Sequence, residues 1–396
     1  MNILEDFIGG AYNRETGEFN AEFAKKEAED KRGKLNIVLL GSTGVGKSAL
    51  INAVFGNNVA VSGTGKPVTQ FLEKYEIKTK GLVLWDTKGI ETKDYEGTRN
   101  QIIKDIESGF EKAKQSLNHE DLPHVVWLCI KEGSKRIQES DLDLLEIARE
   151  RKLPTVVVFT DTQYEDGDEF VEKAKNEIFI KYNDFPKNRF VRVNSVKNRK
   201  AGHEFPQSGL EDLLTATFSC LAEVGRNAEE LISLFKKAQL VNKKLKLEQM
   251  INDARKIVHT AAAAAGATGA IPIPMADAPL IAAAQGAMIA KLNAEFEVDD
   301  QSNATTSVIT SILGMTAVAQ VGKTIVANAF KLIPSVGSVI GGSIRAATAV
   351  ALTEAIGHAY IEVLKYYYNE DEGRTILPSQ AIDIMNVFKD FYKQPK

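Results

Sequence analysis

Residues 41–48 read Gly-Ser-Thr-Gly-Val-Gly-Lys-Ser and satisfy G-x-x-x-x-G-K-[ST] in full. No other stretch restricts the fold so tightly, because the pattern requires a strand before it and a helix after it. Both are legible: Asn36–Leu40 is an apolar β-rich run, and Lys47–Phe55 has helical apolar spacing. Glycines let such a loop wrap a polyphosphate with its backbone N–H groups inward, and the helix N-terminus adds partial positive charge. Lys47 is then placed to reach β- and γ-phosphates, and the Ser48 hydroxyl to ligate Mg²⁺.

Around this loop, β-rich runs alternate with helical patterns. Strands are expected at 71–77, 82–85, 125–130, 155–159 and 190–193, with helices at 141–151, 169–182 and 208–224. Such alternation implies crossover connections, hence a mostly parallel sheet with helices on both faces. The last of these helices opens with a capping-box pattern, Ser208-x-x-Glu211. After about Gly225 the strand signals cease. Helical patterns follow at 227–260, 278–294 (after the break imposed by Pro272, Pro274 and Pro279), 304–330, 336–368 and 379–392. The expected organisation is an N-terminal helical arm (1–33), an α/β domain (34–225) and an all-helical domain (226–396). The arm is read either as an amphipathic lead-in helix or as a docking arm on the α/β domain.

The balance of charge and apolar residues suits a globular chain, and a net charge of −4 indicates no dedicated nucleic-acid binder. There are only two cysteines, and Cys129 lies in an apolar strand run, so a reducing cytoplasm is the expected setting and no secretory signal is read. The run Leu82–Trp85 ends at Asp86-Thr87-Lys88-Gly89. An acidic residue at the end of a strand beside the loop suits a nucleotide-bound Mg²⁺, and Gly89 is placed to sense the γ-phosphate. Between them, Ser62–Thr69 is a glycine-containing loop with Thr69 as the candidate second hydroxyl ligand and Thr64 its rival.

Together these segments resemble the Era-like branch of the translation-factor-type P-loop GTPases over about residues 34–224. Strand 155–159, leading into Thr160-Asp161-Thr162-Gln163, sits where that family places its guanine-reading [NT]-K-x-D motif. Strand 190–193, leading into Asn194-Ser195-Val196-Lys197, resembles its base-edge loop. The resemblance implies GTP or GDP held by Ser42, Thr43, Gly44, Val45, Gly46, Lys47, Ser48 and Ala49, with Thr160, Asp161, Ser195 and Val196 at the base. Lys47, Thr69 and Gly89 would serve catalysis, and Ser48, Thr69 and Asp86 the Mg²⁺. Three departures stand out. Gln163 replaces the guanine-reading carboxylate, and Asp161 or Glu165 could supply one from a shifted register. Ile90 follows Gly89 where Ras-like enzymes carry a water-orienting Gln. Gly44 stands where potassium-activated relatives carry Asn. Slow intrinsic turnover is expected, or turnover completed by a partner or a dimer.

The stretch 269–281 with Gln285 and Met288 resembles an uncharacterised helical domain found behind Era-like GTPase domains in bacteria, over roughly 250–368. A nucleotide-dependent switch acting on this half, toward a protein effector or a second copy, is the first expectation. Ser338, Gly342 and Ala346 are spaced for close helix contact, read first as part of a soluble bundle with buried Ala/Gly seams, and Lys236, Lys237, Lys243, Lys244 and Lys246 form a basic run, read first as a solvated face. These leave open membrane docking or remodelling at an anionic surface, with the protein peripheral to it. A nucleotide-sensing scaffold with negligible turnover is the third reading. The five histidines lack metal-ligand spacing along the chain, so structural or surface roles are expected of them.

Overall fold

The structure, a computed structural model, describes residues 3–13, 15–56, 65–67, 72–87, 95–115, 122–163, 167–200, 203–225, 227–268, 278–298, 304–319 and 343–393. The chain divides into two compact units, residues 33–246 and residues 1–32 together with 247–396. Helices α1 (Ile3–Ile8) and α2 (Ala21–Asp30) come first in the chain and belong to the second of these units.

The unit 33–246 is built on β1 (Leu35–Leu40), α3 (Lys47–Phe55), β2 (Gly65–Pro67), β3 (Leu72–Ile77) and β4 (Leu82–Thr87). Then come α4 (Tyr95–Gln115), β5 (Val125–Lys131), α5 (Glu139–Glu150), β6 (Thr155–Thr160), α6 (Gly167–Lys181) and β7 (Phe190–Val193). It closes with α7 (Leu210–Leu221) and α8 (Ala228–Ala238). The seven strands form one sheet in the order β2-β3-β4-β1-β5-β6-β7. Strands β4, β1, β5, β6 and β7 run parallel, and β3 and β2 add an antiparallel edge. Period-2 alternation divides β1 between two cores. Leu35, Ile37 and Leu39 pack with α3, α7 and α8, whereas Val38 and Leu40 pack with α4, α5 and α6. The polar intruder Asn36 is fully paired: its side chain accepts from Trp85 Nε1 at 2.9 Å, and its N–H donates to His124 Nδ1 at 3.0 Å. Burial lowers His124 to about 4, which keeps that nitrogen an acceptor.

Helix α8 lies inside this unit, beyond the boundary near 225 suggested by the loss of strand signals. Phe235 is fully buried, edge-on to both Phe55 and Trp127, and those two rings stack at 5.8 Å. The expected long helix from 227 breaks after Ala238. Gln239 is extended, and its side chain donates to Lys236 O and Asn242 O while accepting from Asn242 N–H. The Asn242 side chain then accepts from Leu245 N–H and starts the next helix. Lys246 is not on a solvated basic face, because it is buried with its ammonium donating to Lys237 O. Helix α7 lacks the expected Ser208 cap. Gly209 is its N-cap at φ 73°, and Ser208 instead pairs its backbone with Asn194. A side chain at 209 would meet Arg192 O, so the tight approach requires glycine.

The second unit contains α9 (Lys243–Thr268), α10 (Ala278–Glu295), α11 (Ala304–Ala319), α12 (Ser343–Tyr366) and α13 (Ala381–Lys393), the division between units falling within α9. Its core is alanine-rich, and buried alanines of α9 and α10 share it with Ile356, Tyr360 and Phe388. The N-terminal segment packs here. Leu4, Phe7 and Ile8 join the same core, Phe19 seats on Gly286, and Lys291 donates to Phe7 O at 2.8 Å. Among the described residues no helix is long and apolar enough to cross a membrane. Ser338 and Gly342 lie outside the described residues.

Phe235→Ala should lower the unfolding free energy of residues 33–246 by about 3–5 kcal/mol. Both tryptophans, Trp85 and Trp127, lie in that unit and report it in a denaturant titration. A loss below about 1 kcal/mol would contradict the burial of α8 on this sheet.

Candidate nucleotide site

The loop between β1 and α3 owes its shape to three glycines and two threonines. Gly41 (φ 142°) lies so close to Cys129 O that a Cβ would come within 2.5 Å of it. Gly44 (φ 77°) has open space around it, so its backbone angle alone calls for glycine, and Gly46 (φ 101°) is the N-cap of α3. No side chain caps α3, which leaves its first N–H groups directed into the loop.

Lys47 is 7 % exposed, and its ammonium donates to Gly41 O at 2.8 Å and Ser42 O at 3.2 Å. Two hydroxyls brace the loop from neighbouring strand ends. Thr87, at the end of β4, donates to Gly41 O at 3.0 Å and is within 3.3 Å of Leu39 O. Thr160, at the end of β6, donates to Val45 O at 2.5 Å. Thr87 was not singled out by the sequence, although it sits inside the Asp86–Gly89 segment. Thr160, expected at the base, is 2 % exposed and turned into the loop.

Asp86 stands beside Lys47, with Oδ1 3.6 Å from its Nζ. That separation gives charge attraction without a hydrogen bond, and Asp86 Oδ1 is buried with no hydrogen-bond partner. Burial, the largest influence, pushes the Asp86 carboxyl up to about 6; the Lys47 charge opposes the rise and Glu73 adds to it. A desolvated carboxylate oxygen without a hydrogen-bond partner, beside the Lys47 that precedes the exposed Ser48, fits a hydrated divalent cation. Ser42 is half-buried, Thr43 and Gly44 are exposed, Val45 is buried and Ala49 is half-buried, so the loop presents its outer rim to solvent. Thr64, Thr69, Gly89 and Ile90 lie outside the described residues.

Past Thr160, Asp161 adopts φ 56° and pairs with Lys131 at 3.4 Å. Gln163 Nε2 donates to Asp161 Oδ1 at 2.5 Å and to Asn194 Oδ1 at 3.3 Å, while Gln163 Oε1 is buried with no hydrogen-bond partner. The Asn194 side chain donates to Pro206 O at 2.6 Å, and it is followed by half-buried Ser195 and exposed Val196. The loop after β6 and the loop after β7 thus meet through Gln163 and Asn194, beside the phosphate loop.

Residues 36–161, from β1 to the turn after β6, match the family described as 50S ribosome-binding GTPase. The chain carries a P-loop GTPase domain. Residues 234–386 match a domain of unknown function, DUF697. The GTPase domain is similar to the tRNA modification GTPase MnmE of Clostridioides difficile (strain 630), 26 % identical over 183 residues, 45 % of this chain and 33 % of that protein. The MnmE of Alkaliphilus metalliredigens (strain QYMF) is 31 % identical over 37 % of this chain and 30 % of its own length. The chain therefore spans about a third of either MnmE protein. A probable GTP-binding protein EngB of Koribacter versatilis (strain Ellin345) is 28 % identical over 37 % of this chain and 73 % of that protein. The solved structure of a probable GTP-binding protein engB is similar at 17 % identity and a TM-score of 0.33, over 47 % of this chain and 97 % of that one.

The raised Asp86 has a consequence for the nucleotide-free GTPase domain. Between about pH 4 and 6 the folded protein keeps a proton that the unfolded chain has released, so this group's contribution to stability falls as pH rises through that window. Asp86→Asn should therefore be more stable than the parent above pH 6, by about 1–3 kcal/mol, with the difference vanishing near pH 4. The same variant should lose Mg²⁺-dependent nucleotide affinity. Coincident stability–pH curves for the two proteins would contradict this placement of Asp86.

Proposed function

We propose that this protein is a slow, Mg²⁺-dependent GTPase of the Era-like branch whose nucleotide state repositions the helical half toward a protein partner. One observation carries the reading: Lys47 stands beside Asp86, whose buried Oδ1 has no hydrogen-bond partner, at a phosphate loop braced by Thr87 and Thr160. The P-loop amides from Ser42 to Ala49 and the Lys47 ammonium would hold the phosphates, and Ser48 with Asp86 would hold the cation. Bound there, Mg²⁺ supplies neutralisation of charge on the β- and γ-phosphate oxygens. Displacing the Lys47 ammonium from Gly41 O and Ser42 O toward phosphate would cost little, because Thr87 continues to satisfy Gly41 O. Thr69 is the proposed hydroxyl ligand from the loop before β3, and the Gly89 N–H the proposed γ-phosphate sensor. A response of segments 61–69 and 89–93 to GTP would be the switch.

At the base, Ser195 and Val196 are proposed to face one edge, and Asp161 and Gln163 the other. Gln163 Oε1 offers a single acceptor where a carboxylate would offer two oxygens to guanine N1–H and N2–H₂. Guanine should therefore be preferred, but less sharply than in a GTPase with the full motif. In competition for a fluorescent GDP, GTP and GDP should outbind ATP by less than about a hundredfold, against the roughly 10⁴-fold that a fully paired site can reach. Equal competition by ATP would refute guanine reading.

A further inference from the structure

Two histidines far apart in the sequence meet in space. His259 on α9 and His358 on α12 converge on Glu354, one turn before His358 on the same helix. His259 Nδ1 lies 2.7 Å from Glu354 Oε1, and His358 Nε2 lies 3.0 Å from Glu354 Oε2. One ligand atom from each residue falls within 4.8 Å of the other two. An ion at about 2.0–2.2 Å from nitrogen and oxygen ligands separates those ligands by roughly 3–4 Å, so sub-ångström side-chain shifts would close the site.

The placement rests on how the two helices touch. Gly357 lies against Val258, where a Cβ would come within 2.5 Å of a valine methyl, and Gly266 lies against Val350 at 2.6 Å. Contacts 258–357 and 266–350 run in opposite directions along the chain, so α9 and α12 pack antiparallel and close. His259 and His358 are the chain neighbours of the first contact pair, which holds their backbones at one point on that seam. The imidazoles are 64 % and 45 % exposed and Glu354 only 15 %, so the carboxylate forms the floor and solvent water can complete the coordination shell.

We propose that His259, Glu354 and His358 form a site for a divalent transition metal of the zinc class, clasping α9 to α12. Two imidazoles and one carboxylate are the donor set of borderline-soft ions, whereas Mg²⁺ and Ca²⁺ favour all-oxygen shells. The Mg²⁺ expected at Ser48 and Asp86 therefore does not compete for it.

The test is calorimetric titration of the full chain with ZnCl₂, kept in saturating GDP–Mg²⁺, beside His259→Ala and His358→Ala. Both imidazoles are at the surface, so both variants should keep the parent circular dichroism spectrum. The parent should bind one Zn²⁺ per chain, and each variant should bind it at least about tenfold more weakly. Co²⁺ should give visible absorption bands of low coordination number in the parent and lose them in each variant. A parent that binds no Zn²⁺, or variants that bind it with unchanged affinity and unchanged Co²⁺ bands, would overturn the proposal.

Discussion

A buried ammonium bonded to backbone carbonyls needs a loop that cannot move, and this protein fixes that loop from both sides. Thr87 and Thr160, at the ends of β4 and β6, donate hydroxyl protons into carbonyls of the loop that Lys47 also grips. Those threonines stand where they do because β4 and β6 flank β1 and β5 in a parallel sheet with its register set by two apolar faces. The desolvation that raises Asp86 follows from the same packing. Sheet order, loop shape and carboxylate chemistry are thus one chain of cause, and a fault in the sheet would reach the site directly.

Much of that chain was legible in the amino-acid sequence because it is local. The glycines of residues 41–46 announce backbone angles that the structure shows, and the runs at 36–40, 82–85, 125–130 and 155–159 announce strands by composition alone. Asp86 is found by its position after an apolar run. What stayed hidden is non-local or depends on one side chain's choice of partner. Thr160 looks like a base reader in sequence, and only β6 standing beside the loop turns its hydroxyl to Val45 O. The Ser208-x-x-Glu211 pattern fits a cap, yet the close approach of residue 209 to Arg192 O selects Gly209 instead. The helix break at Gln239–Asn242 rests on side-chain-to-backbone bonds that periodicity does not encode.

The helical half shows the same division. Its alanine seams are plain in the sequence, but their partners are not: residues 3–30 join a core made by helices more than two hundred positions later in the chain. His259 and His358 are separated by nearly a hundred residues and meet only because Gly266 and Gly357 let two helices approach closely. Neither glycine was singled out by the sequence, and the chemistry they bring together could not be read from spacing.

On the proposed reading, the braced loop, with Lys47 and Asp86, is a working guanine-nucleotide hydrolysis site. Multiple-turnover phosphate release from GTP, with and without Mg²⁺, beside Lys47→Ala, tests it most directly. Slow release that requires Mg²⁺ and disappears in Lys47→Ala is the predicted result. Release that survives the loss of Lys47, or a parent protein indistinguishable from buffer, would contradict it.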